Sequence, residues 1–245
     1  MGAVSAANGV TSGRLGCKAL SDLARLCRDR DAAGGAFHGV ALRRARVTED
    51  DGEATGVTVS MVKGQRISLE KPGGALRLVR MGLGWDAVRK EGFFGVRRRE
   101  IDLDASCVLF ADGRVADVVF FGKLVSDDGS VRHTGDNLTG DGDGDDESVI
   151  VDLARLPVHV TSLVFAVSSF NGQTFDEVDN AFCRLVNESD GGELARYTLS
   201  GGGRHTAMVM ARLYRHGDVW KMNAIGEPCH GRTFEDMLPT IAGLA

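Results

Sequence analysis

From Val57 to Ile225 the chain is written in short apolar or alternating runs, each closed by a cluster of Gly, Asp or Asn. The runs are VTVSMV (57–62), RISLE (66–70), ALRLVRMGL (75–83), IDLDASCVLF (101–110), VADVVFF (115–121), SVIVDL (148–153), VTSLVFAVSSF (160–170), AFCRLVN (181–187), ELARYTLS (193–200), TAMVMARLYRH (206–216) and DVWKMNAI (218–225). Side chains alternate with period two along a strand, so these runs predict strands. Their spacing, with turn residues between them, predicts an all-β antiparallel sandwich or barrel. No helical runs alternate with them, which argues against a doubly wound α/β sheet. A short helix is expected over Thr233–Ala242, interrupted at Pro239.

Residues 1–56 follow no such pattern. They mix Gly, Ala and Ser with scattered charges, and only Leu20, Leu23, Leu26 and Cys27 suggest an apolar helical face, over about 19–31. A helix that short is marginal alone in water. Arg46 to Gly56 (RVTEDDGEATG) reads as a linker. The expected organisation is a poorly ordered extension over 1–56 and one β domain over 57–245.

Composition adds exclusions. With 43% apolar and 26% charged residues among 245, the chain has the makings of a globular core and is not globally disordered. A net charge of −5 gives no reason to expect nucleic acid as a partner. No run approaches the length of a membrane span. The first residues lack a basic start and apolar core, so a cytoplasmic location is expected. Cys17, Cys27, Cys107, Cys183 and Cys229 form no Cys-x-x-Cys pair and no zinc spacing. Cys107 and Cys183 sit in apolar runs and are expected to be buried. The histidines pair with no nucleophile motif, and no enzymatic activity is expected. His133, beside the acidic loop, is expected at the surface.

The chemistry is concentrated in HTGDNLTGDGDGDDESVIVD (133–152). Between Asp127 and Glu147 there are eight carboxylates against the single Arg132, which rejects a phosphate cradle. Glycines let a loop turn its oxygens inward, and several hard oxygen donors on a flexible loop suit Ca²⁺. The spacing is not that of an EF-hand, since Asp146 stands where that loop needs Gly. A disordered acidic loop is the plain alternative. Alternation also places Asp102 and Asp104 side by side on one face of the 101–110 strand, where they repel each other unless a cation intervenes. Carboxylate repulsion in the loop predicts that Asp145→Asn or Asp146→Asn slightly stabilises the metal-free protein. The cluster Arg97–Arg99 opens two other readings: a metal-dependent hydrolase acting on a phosphorylated or nucleotide ligand, and a scaffold in a membrane-associated complex.

GDNLTGDGDGDDE resembles the signature of the TerD family of tellurium-resistance and stress-response proteins. The resemblance extends in order through GVTVSMVKGQRISLEK, GLGWD (82–86), IDLDAS (101–106), GQTFDEVDNAFCRLVN (172–187), ELARYTLS (193–200) and WKMNAIG (220–226). It implies a β-sandwich of two antiparallel sheets with a few short helices, binding Ca²⁺, with more than one ion expected. The ligand set it implies is Asp102, Asp104, Asp136, Asn137, Gly140, Asp143, Asp145, Asp146 and Glu147, with Asp143 where the pattern is looser. Asn180 matches a family asparagine, either as an amide-oxygen donor or in a turn or bulge. The function implied is a non-enzymatic stress response in which the metal closes the loop into a surface for a partner. Such partners would be other stress-response proteins or a membrane-associated complex.

Overall fold

The computed structural model describes residues 58–71, 74–86, 88–92, 95–99, 101–137, 144–199 and 203–245. The expected extension, its 19–31 helix and the linker lie outside them. Two six-stranded sheets make the domain. The first runs, in spatial order, β1 (Val59–Ser60), β14 (Gly192–Thr198), β13 (Asp179–Asn187), β5 (Leu78–Asp86), β11 (Glu147–Asp152) and β10 (Val131–His133). The second runs β2 (Arg66–Ser68), β16 (Val219–Cys229), β15 (Ala207–His216), β12 (Val160–Ser169), β8 (Leu103–Ala111) and β9 (Arg114–Val119). Pairing is antiparallel throughout both sheets except between β1 and β14. Two small hairpins stand apart, β3 (Glu70–Lys71) with β4 (Gly74–Ala75), and β6 (Val88–Gly92) with β7 (Gly95–Arg99).

Alternation decides which residues meet between the sheets. Val79, Met81, Leu83 and Trp85 of β5 and Cys183 and Leu185 of β13 join Leu103, Ala105, Cys107 and Leu109 of β8 and Leu163, Phe165 and Val167 of β12 in one core. Each large side chain buried there contributes about 2 kcal/mol by leaving water. Cys107 and Cys183 are fully buried, and burial pushes the Cys183 thiol up to about 12. The outer face of the second sheet is covered by α1 (Phe234–Leu244), which buries Phe234, Met237, Leu238 and Ile241. This helix continues through Pro239 where an interruption is expected from sequence. Proline removes a single backbone donor there, and packing of the flanking Leu238 and Ile241 holds the helix across it.

Candidate metal centre

The site grows from a mismatch in strand length. β9 pairs with β8 only from Cys107 to Ala111, so among the described residues those before Cys107 have no partner strand on that side. The two described ends of the β10–β11 connection meet there. Glu147, the first residue of β11, accepts a 2.7 Å hydrogen bond from the Ala105 N–H through Oε2. Its Oε1 accepts from the Asn137 N–H at 3.1 Å. One buried carboxylate thus ties the edges of both sheets to the acidic loop. Gly135, at φ +118, takes a backbone conformation that suits glycine, and its N–H donates to His133 Nδ1 at 3.1 Å.

That turn delivers Asp136 to the strand carboxylates. Asp102, Asp104 and Asp136 each place a carboxylate oxygen within 4.8 Å of the other two. Asp102 and Asp104 are buried, and their Oδ1 and Oδ2 respectively have no hydrogen-bond partner among the described residues. Leaving buried acceptors unpaired costs stability, more so for charged groups. The electrostatics agree. Burial, then Glu147, Asp102 and Asp136, pushes Asp104 up to about 8. Burial, then Asp136 and Glu147, pushes Asp102 up to about 6. A cation among these oxygens would satisfy the orphaned acceptors and remove the repulsion. An all-oxygen donor set of this charge fits Ca²⁺, Mg²⁺ or Mn²⁺ and not a thiolate- or imidazole-seeking metal.

The other expected ligands divide. Asp146 stands beside the trio's loop, where its Oδ2 accepts from the Trp85 N–H at 2.9 Å and its Oδ1 from Asn137 Nδ2 at 3.0 Å. Asn137 and Glu147 hold the loop through the contacts given above. Asp145 is gripped by Arg80 and Arg184 on the outer face of the first sheet. It is absent from the carboxylate group around Asp102. Gly140 and Asp143 lie outside the described residues. So do the side chains of Arg97–Arg99, whose backbone forms β7, and with them the expected ligand site beside them.

Two residues differ from their sequence reading or resolve it. His133 is buried, not at the surface, with Nε2 3.4 Å from Glu147 Oε2. Because Nδ1 accepts a hydrogen bond, the neutral ring carries its proton on Nε2, towards that carboxylate. Its inward position follows from alternation on β10, a strand too short and polar to be evident in the sequence. Asn180 occupies a bulge in β13, where the register against β5 shifts, at φ +50. Its Nδ2 donates to Asp86 Oδ2 at 2.6 Å, which is the turn-or-bulge role. The arginines that hold Asp145 were not singled out by sequence. Their signal was the charge at Arg80 and Arg184, set outward by alternation in otherwise apolar strands.

An all-β sandwich with a carboxylate-lined loop between its sheet edges defines the class, and comparison places it. The chain belongs to the TerD domain family, whose model matches residues 57–238. Tellurium resistance protein TerZ of Serratia marcescens is 50% identical over 183 residues, spanning 73% of this chain and 94% of that protein. Stress response protein SCP2 of Bacillus subtilis (strain 168) is 39% identical over 196 residues, spanning 74% of this chain and 98% of that protein. The crystal structure of a homologue of telluride resistance protein (TerD) from Streptomyces coelicolor A3(2) superposes with a TM-score of 0.56. At 23% identity over 67% of this chain and 98% of that one, it supports the fold.

Proposed function

We propose that the chain is a Ca²⁺-binding, non-enzymatic protein of tellurium resistance and the stress response. The cation bridges Asp104 on β8 and Asp102, just before that strand, to Asp136 and its neighbours in the acidic loop. The observation that carries this reading is the pair of buried carboxylate oxygens, on Asp102 and Asp104, that have no hydrogen-bond partner among the described residues and lie within a three-carboxylate cluster. Asn137, Asp146 and Glu147 set the loop around the cluster. Gly140 and Asp143 complete the ligand set in this reading, which expects more than one ion. Closure turns a repulsive loop into a fixed surface for a partner, drawn from other stress-response proteins or a membrane-associated complex. Among the described residues, no helix is long and apolar enough to cross a membrane. A cytoplasmic location belongs to the same reading.

Thermal melts in chelator, Ca²⁺ and Mg²⁺ test it. A ligand that binds the folded state alone, at a thousandfold excess over its Kd, contributes about 4 kcal/mol. For a domain of this size that raises Tm by roughly 10 °C. Mg²⁺ should give much less, because it demands a small octahedral site and sheds water reluctantly. Asp127→Asn serves as a control. Its carboxylate pairs with Lys123 at 2.7 Å, and its side chain is 83% exposed. Identical melting in all three solutions would refute the calcium reading.

A further inference from the structure

The acidic loop is fastened at its far end by two arginines on the first sheet that the sequence reading gave no role. Asp145 projects onto the outer face of the first sheet, directly over Gly82 of β5. Its side chain is 4% exposed. Arg80 Nη1 donates to Oδ2, and Arg184 Nε of β13 donates to Oδ1 at 2.6 Å. The two arginines come from adjacent strands, two residues to one side of Gly82 and directly across from it in the β5–β13 register. Each is itself braced. Arg80 Nε reaches Glu188 Oε1 at 2.6 Å, and Arg184 Nη1 reaches Glu193 Oε2 at 3.2 Å. Arg196 holds the same Glu193 at 2.7 Å while lying 4.0 Å above the Phe182 ring.

The floor beneath this network is cut to fit it. A Cβ on Gly82 would overlap the Asp145 carboxyl group, and a Cβ on Gly84 would come within 2.6 Å of the Gly144 carbonyl oxygen. Both glycines therefore leave the space that the loop occupies. One and two residues further on, Asp146 and Glu147 turn to the Trp85 and Ala105 N–H groups respectively. Asp145 fixes the chain at the point where it must turn, and its charge is matched by two guanidinium groups instead of adding to the trio.

We infer that Asp145 is a clasp and not a cation ligand, and that Arg80 and Arg184 are positioning residues that pre-order the loop for its cation. This rests on the calcium reading for its ligand, but the clasp itself is present without one. A loop held in place loses less conformational freedom when it closes on a cation, so the clasp raises affinity without supplying a donor. The structure also reverses the sign expected from sequence. Removing the charge of Asp145 takes from each guanidinium its ion pair with the loop, leaving only the Glu188 and Glu193 braces, and destabilises the metal-free protein.

The test is a double-mutant cycle on the full chain with Asp145→Asn and Arg184→Met, melted in chelator and titrated with Ca²⁺ by calorimetry. Both single variants should lower the chelator-state Tm, and the double variant should melt close to the weaker single, because the pair acts as one unit. Both should weaken Ca²⁺ binding several-fold while the number of ions bound per chain stays that of the wild type. Arg184→Lys should recover part of the affinity, which a general loss of stability would not explain. Gly82→Ala, which changes no charge, should reproduce the Asp145→Asn phenotype by displacing its carboxylate. If Asp145→Asn raises the chelator-state Tm, or removes one bound ion per chain, Asp145 is a ligand and the clasp is wrong. Additive effects of the two substitutions would also overturn it. A wild type that binds no Ca²⁺ would sink the functional reading alone, and the cycle in chelator would still decide the clasp.

Discussion

Asp104 should make the metal-free protein lose stability as pH rises through neutrality, and Asp104→Asn should remove most of that loss. Its carboxyl is pushed up to about 8 in the fold, against an ordinary value of 3.8. Across that window the folded state holds a proton that the unfolded state has released. Stability therefore is greatest at the acid end and falls as pH rises towards 8. Near pH 7, Asp102, at about 6, is mostly ionised and adds little, so the difference is close to one proton. One proton corresponds to at most about 1.4 kcal/mol per pH unit. Solvent access to the loop trims this to about 1 kcal/mol, or roughly 3 °C of Tm per pH unit for a domain of this size. His205, held low mainly by burial, works with the opposite sign around its own range. It is common to both proteins and cancels in the comparison. The assay is a series of melts of metal-stripped wild type and Asp104→Asn from pH 6 to 8, with and without Ca²⁺. Wild type should lose Tm with rising pH in the absence of metal, and Ca²⁺, which displaces the proton, should flatten the slope. Equal slopes for wild type and variant in metal-stripped solution would refute the reasoning.

Other expectations follow from the same geometry. Deletion of residues 1–56 should leave a folded domain with Tm near that of the full chain, since β1 begins at Val59 and is paired within the domain; an insoluble product would contradict this. Native protein should withhold the thiols of Cys107 and Cys183 from alkylating reagents at pH 8, because both are fully buried and raised, and denaturant should expose them. Replacing either with Ala should cost about 1–2 kcal/mol in denaturant melts without changing Ca²⁺ affinity. Asn180→Ala should destabilise by about 1 kcal/mol, because its left-handed backbone suits Asn and Gly and its bond to Asp86 is lost, while Asn180→Gly should recover part of that.

Much of the sandwich was legible because burial on one face imposes period two. β8, β12, β13 and β15 fall within a residue or two of their apolar runs. The elements missed are those without that pattern. β10 spans only Val131–His133, and the β6–β7 hairpin contains glycines and six charged residues in ten. Pro239 misled because its local cost is set against packing that sequence does not display. The site divides along similar lines. Asp102 and Asp104 could be paired from alternation alone, and Asp136 from the loop motif. Which loop carboxylates face the trio could not be read, because the choice depends on residues distant in sequence. Arg80 and Arg184 claim Asp145, and the Trp85 and Ala105 N–H groups claim Asp146 and Glu147. Residues of like chemistry, adjacent in the chain, are sent to opposite purposes by strand residues 39 to 65 positions away, Arg80, Trp85 and Ala105 before them and Arg184 after.

The most direct measurement of the central claim is calorimetric titration of Ca²⁺ into metal-stripped full chain at neutral pH, repeated with Asp102→Asn and Asp104→Asn. The account predicts saturable binding by the wild type, accompanied by proton release in buffers of differing ionisation enthalpy, and a large loss of affinity in both variants. Absence of binding by the wild type, or undiminished binding by both variants, would contradict it.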